Sequence, residues 1–87
     1  DIDSAVNDCR RSFSWWPALD DVRQRVLLNM VFNLGLLSLL TFHETLRAIA
    51  DGDYSKAADR MLLSKWAGQV GDRAKRLARM MRTGHDD

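Results

Sequence analysis

Glu44 is the only glutamate in the chain, and His43 and His85 are the only histidines. Acid–base hydrolysis by carboxyl groups needs a pair of them, in environments that drive their pKa values apart. Glu44 has no such partner in its own stretch. The run Thr41-Phe42-His43-Glu44 instead has the spacing of a capping box, with hydroxyl and carboxylate closing the first turn of a helix. Asp20, Asp53 and Asp72 each stand just ahead of an apolar-periodic run and read as N-caps. His85 is far from His43, in a stretch expected to fray. Cys9 is the single cysteine, so it makes no intrachain disulfide, and it lacks the Cys/His company of a zinc site. There is no Gly-rich phosphate loop, nucleophile elbow or metal-ligand spacing, and no metal or cofactor is expected.

The elements that would position these groups are helical throughout. Ile2, Val6, Cys9 and Phe13 recur at spacings of three and four, the mark of one helix face, and this first helix should end before Trp16-Pro17. Trp15 and Trp16 are expected to cover the core at the junction that follows. Asp20 opens a helix from about Asp21 to Leu34, with Gly35 placed for the left-handed position after it. Val22, Val26, Leu27, Met30, Val31 and Leu34 surround so much of its circumference that it reads as a buried central helix. A short apolar turn follows over 36–40, then helices to about Asp51 and over about 54–63, a single turn over 65–69, and a last helix from about Asp72 to Thr83. No stretch alternates with a period of two. The spacing predicts an all-α fold, a bundle of six to seven short helices around one central helix.

Composition agrees with a small globular unit. At 87 residues the chain has one-domain length, with 46% hydrophobic and 29% charged residues. Thirteen Lys and Arg stand against twelve Asp and Glu, so the chain as a whole has no polyanion-binding charge. Residues 45–87 carry nine basic and six acidic side chains, and residues 1–44 carry four and six. The basic excess gathers in Arg73, Lys75, Arg76, Arg79 and Arg82, interleaved with Leu77, Met80 and Met81. Such a helix either packs with a solvated basic face or lies on an anionic membrane. No recognition motif or aromatic interleaving supports nucleic-acid binding. The opening Asp1-Ile2-Asp3, with no Met and no basic or apolar leader, shows no targeting peptide and reads as the interior of a longer chain.

Several stretches together resemble a known family. Leu19-Asp20-Asp21-Val22-Arg23 and Asn29-Met30-Val31-Phe32-Asn33-Leu34-Gly35 are similar to the central helix of phage-type (T-even phage) lysozymes, the endolysin muramidases. Phe42, Thr45-Leu46-Arg47, Ala57-Ala58, Ser64-Lys65-Trp66, Arg73-Ala74-Lys75-Arg76 and Arg82-Thr83-Gly84 follow at the family's spacing without gaps. The resemblance implies that residues 1–12 are the second half of an interdomain helix and residues 13–87 a C-terminal helical substrate-binding lobe. The family's catalytic glutamate lies in an N-terminal lobe that has no counterpart here, so no catalytic residue carries over to this chain.

What does carry over is one wall of a peptidoglycan cleft. The resemblance places Phe32, Asn33, Thr45, Arg60, Lys65 and Trp66 in substrate binding. Phe32 on its own reads as core, and the resemblance reverses that reading. Trp66 would pack under the cleft floor, Lys65 would approach the stem peptide, and Arg60 would meet a stem carboxylate. Arg73, with Asn29 nearby, would orient the catalytic acid of the opposite lobe. The implied activity of the parent is hydrolysis of the β-1,4 bond between N-acetylmuramic acid and N-acetylglucosamine. It would act on the periplasmic wall after accumulating in the host cytoplasm, with peptidoglycan as partner. This chain alone would bind but not cleave. The other reading is a non-enzymatic cell-wall-binding or membrane-active helical module. Exposed Ile2, Val6 and Cys9 would also support a homodimer through the first helix.

Overall fold

Local capping explains most of the helix boundaries in the computed structural model, which describes residues 2–86. Helix α1 is Ile2–Ser12, followed by a 3-10 turn at Trp16–Ala18 in which Pro17 sits where its missing N–H is no loss. Helix α2 (Asp21–Leu34) starts at Asp20, whose carboxylate accepts from the Arg23 N–H at 3.1 Å. Helices α3 (Leu36–Leu39), α4 (His43–Ala50), α5 (Tyr54–Leu62), α6 (Lys65–Val70) and α7 (Asp72–Thr83) complete the chain. The described residues contain no strand, and the all-α expectation holds.

Four expected local details come out differently. Thr41 and Glu44 form no capping box: the Thr41 hydroxyl turns back to donate to Ser38 O at 2.6 Å, serving the end of α3, and α4 opens at Phe42 with no side-chain cap. Asp72 is the first residue of α7 rather than its cap, because Gly71 occupies the cap position. Gly35 takes a positive φ of 86° but an extended ψ of 155°, since the chain must turn at once into α3 rather than leave through a left-handed cap. The stretch after α7 is tied down: the His85 N–H donates to the Thr83 hydroxyl, and Asp86 pairs with Arg25.

Helix α5 packs most extensively on α7 and on α4, and Ala57, Ala58, Ala74 and Ala78 let the α5 and α7 backbones approach closely. Met61, Met81, Leu77 and Leu39 fill the core beside them, with Val26, Leu27 and Met30 of α2. Helix α2 packs against α1, α3 and α7. It is central on that side only, because Arg25, Asn29, Phe32 and Asn33 leave a stripe of its surface open. Helix α1 turns Ala5 and Cys9 inward, and Phe13 just beyond its end is buried too. Cys9 is therefore unavailable to an interface between copies, Val6 is half-buried, and Ile2 is the apolar side chain left outside at 63% exposure. Burial, with the Asp8 charge adding to it, pushes the Cys9 thiol up to about 11, so it stays protonated at neutral pH. Trp16 is buried, and Trp15 stacks on Phe13 with ring centres 4.7 Å apart.

One side chain joins three helices. Arg23 donates through Nη1 to Asp20 (2.9 Å), through Nε to Met81 O (2.6 Å) and through Nη2 to Arg82 O (3.1 Å). Its guanidinium also lies 3.7 Å over the centre of the Tyr54 ring. The last carbonyls of α7 thus receive a cation where the helix dipole favours one. Gly84 then turns left-handed (φ 72°), and a Cβ there would stand 2.9 Å from Arg23 Nη1.

Candidate functional site

Two grooves are lined by four of the site residues singled out from the sequence, Asn29 and Arg73 in one and Thr45 and Arg60 in the other. The first runs along α2 and α7. Arg25, Asn29 and Asn33 recur every four residues, so they lie in line on the open stripe of α2, with Phe32 beside them. Each asparagine bonds one turn back: Asn29 Nδ2 donates to Arg25 O at 2.9 Å, and Asn33 Nδ2 to Asn29 O at 2.8 Å. That orientation leaves the Asn33 carbonyl oxygen facing α7, where it accepts from Arg73 Nη1 at 2.7 Å. Phe32 is 56% exposed, so it is surface rather than core. Arg25, Asn29, Arg73, Arg76, Leu77, Met80 and Asp86 line a groove of about 350 Å³.

The second groove lies between the start of α4 and the end of α5, with a volume of about 460 Å³. Thr41, Phe42, His43, Glu44, Thr45, Arg60, Leu63 and Ser64 line it. Most of its hydroxyls are already engaged. Ser64 caps α6, accepting from the Ala67 N–H and donating to Met61 O, and Thr41 is bonded to Ser38 O. Thr45 lines the groove but is almost sealed, with the residue 2% exposed. Arg60, His43 and Glu44 stand exposed around it. Phe42 meets Trp66 edge-to-face, with centroids 6.5 Å apart and planes at 75°. Trp66 is buried, lines neither groove, and its Nε1–H has no hydrogen-bond partner among the described residues.

The structure therefore brings Asn29, Asn33 and Arg73 together, with Phe32 beside them, and separately joins Thr45 to Arg60. Lys65 is exposed at the first turn of α6 and lines neither groove. Arg25 and Asp86 were not singled out from the sequence, and Arg76 only as part of the basic face of the last helix. Arg25 stands four residues before Asn29 and Arg76 three after Arg73, so same-face spacing was the signal for the two arginines. Asp86 had none. Each groove holds one carboxylate, Glu44 or Asp86. Neither lining contains the pair that a two-carboxylate glycosidase places across its substrate. On α7 the apolar residues Leu77, Met80 and Met81 are buried, while Arg73, Lys75, Arg76, Arg79 and Arg82 face outward. Its amphipathic face is already used inside the fold, and no helix among the described residues is long and apolar enough to cross a membrane.

No protein-family model matches the chain. It is similar to the probable T4-type lysozyme 1 of Dictyostelium discoideum, 35% identical over 66 residues, which is 76% of this chain and 39% of that protein. Probable T4-type lysozyme 2 of the same organism is 32% identical over 66 residues, with the same coverage. The pre-baseplate central spike protein of Enterobacteria phage T4 is 34% identical over 70 residues, 80% of this chain and 12% of that protein. The matches thus span 39% of the length of each of these two lysozymes.

Proposed function

We propose that the chain belongs to the T4-type lysozyme family over the 66 residues it shares with those relatives, and that it forms the non-catalytic wall of a muramidase cleft. In this reading residues 1–12 continue a helix from a preceding catalytic lobe, and residues 13–87 hold the glycan. The whole protein would hydrolyse the β-1,4 bond between N-acetylmuramic acid and N-acetylglucosamine. It would work on the peptidoglycan of a bacterial host, from the cytoplasm outward at lysis.

The observation that carries this reading is the Asn33–Arg73 hydrogen bond, which crosses from α2 to α7 at 2.7 Å. It holds an arginine at the open stripe of α2, next to Asn29 and exposed Phe32, the positions at which the family resemblance puts the cleft. A guanidinium there offers N–H donors to a carboxyl group arriving from the opposite wall, which would orient a general acid. Thr45 and Arg60 offer a hydroxyl and a cation to the peptide stem. Neither groove lining among the described residues supplies paired carboxylates, so neither has a second group to divide the acid and nucleophile or base roles.

The test is release of reducing sugar from purified peptidoglycan. The isolated chain should stay at background, and the same chain fused to a family catalytic lobe should clear cell walls. In the fusion, Arg73→Ala should lower kcat by about a hundredfold or more, with a smaller change in KM, as expected for loss of a positioned acid–base group. Sugar release by the isolated chain would overturn the proposal and point to Glu44. Cell killing without sugar release, lost on neutralising the outward arginines of α7, would favour a membrane-active module.

A further inference from the structure

The α2–α7 groove contains more cationic charge than the structure neutralises. Arg25, Arg73 and Arg76 all line it, and Asp86 is the one acid among its lining residues. Arg73 spends one Nη1 bond on a neutral amide, Asn33. Arg76 makes no ion pair or hydrogen bond among the described residues. Arg25 alone is matched, through Nη1 to Asp86 Oδ2 at 3.0 Å. Three guanidinium groups around one space repel one another, and each presents planar N–H donors suited to two oxygens of one anion. Leu77 and Met80 give the groove an apolar floor, which lowers the local dielectric and strengthens such contacts.

Asp86 does not reach this place by chance of a loose end. The Arg23 clamp on the last carbonyls of α7, the left-handed turn at Gly84 and the His85 N–H bond to Thr83 steer the chain back over α2. We infer that the groove of Arg25, Arg73 and Arg76 is an oxyanion-binding site, for a carboxylate or phosphate group, and that Asp86 is a built-in competitor occupying part of it. An incoming anion must displace the Asp86 carboxylate from Arg25, so this short stretch sets how tightly the groove binds. Arg73 is shared with the lysozyme reading, but the inference itself requires neither glycan nor a second lobe.

Inorganic phosphate titrated into the chain at low ionic strength, followed by the arginine Nε–H signals in nitrogen-15 NMR spectra, tests it. Phosphate should move the signals of Arg25, Arg73 and Arg76 with one common dissociation constant. Asp86→Asn should tighten that constant by about threefold or more, a size consistent with the modest strength of an exposed ion pair. Gly84→Ala, which keeps the charge but cannot hold the turn, should tighten it in the same direction. Arg76→Gln should weaken it by a similar factor without lowering the melting temperature. Phosphate shifts no larger at these arginines than at exposed Arg47 would overturn the inference. An unchanged constant in both Asp86→Asn and Gly84→Ala would overturn the competitor role. A phosphate response as described, in a chain that never supports wall cleavage after fusion, would uphold this inference while sinking the muramidase reading.

Discussion

The α4–α5 groove and the α2–α7 groove differ in what keeps their walls in place. The first rests on packing: Phe42 sits against buried Trp66, Thr45 lines it but is almost sealed, and Ser64 spends its hydroxyl on capping α6. The second rests on exposed polar links, with Asn33, Arg73, Arg25 and Asp86 all reachable by solvent. Recognition and stability are therefore entangled in the first groove and separable in the second. A substitution in the first should disturb the fold and the site together, whereas one in the second should alter charge and leave the fold standing.

The largest test of that difference is Trp66→Ala, which should cost about 3–5 kcal/mol of stability by urea unfolding and flatten the α4–α5 groove. A loss below about 1 kcal/mol would mean that this groove is not held by the Phe42–Trp66 contact beneath it. Trp66→Phe should cost far less, because it keeps an aromatic ring and removes an indole N–H that has no partner among the described residues. Next is Ser64→Ala, which should cost about 1 kcal/mol through loss of the α6 cap. Any weakening of ligand binding at Arg60 should accompany it.

Arg73→Ala stands at the other side of the comparison. Its side chain is exposed and its partner is a neutral amide, so unfolding should change by no more than about 0.5 kcal/mol. A loss as large as that of Trp66→Ala would erase the distinction between the grooves. The smallest effect is expected from pH. Partial burial works to raise the Asp20 carboxyl, but the Arg23 side chain, its backbone N–H and its charge outweigh this and hold the group below its ordinary 3.8. A lowered folded value means stabilisation that is complete above the unfolded value and is lost as pH falls through the folded one. Thermal melts between about pH 5 and 2 should show a smaller acid loss for Asp20→Asn than for the parent.

These contrasts also separate what the sequence made legible from what it did not. Asp20, Asp53 and Gly84 mark helix ends through bonds to residues three or four positions away, and such rules can be read locally. The same logic failed at Thr41, because a hydroxyl between two helices has two possible clients and the end of α3 claimed it. Ser64, which carries part of the family resemblance, is equally a local signal as the cap of α6. Phe32 was open between core and surface until the rotation of α2 decided it. Asn33 and Arg73 were named separately, but their pairing spans 40 residues and no spacing rule links them. Asp86 joined a groove only because a clamp elsewhere redirected the backbone.

That clamp has a further consequence in the order of assembly. The contacts of α4 with α5 and of α5 with α7 join neighbouring stretches of chain, but Arg23 reaches Met81 and Arg82 across 58 and 59 residues. Closing so long a loop costs entropy before any bond repays it, so the clamp should form after the folding transition state. Arg23→Leu keeps the aliphatic stem and removes the fork. It should therefore leave the refolding rate nearly unchanged and speed unfolding, a low φ-value at a position central to the native structure. A refolding rate that fell in step with stability would instead make Arg23 part of the nucleus. If the clamp is late, α7 docks first along Leu77 and Met81 and is locked last at its end. The kinetic lifetime of the native chain then depends on one guanidinium more than its equilibrium stability does.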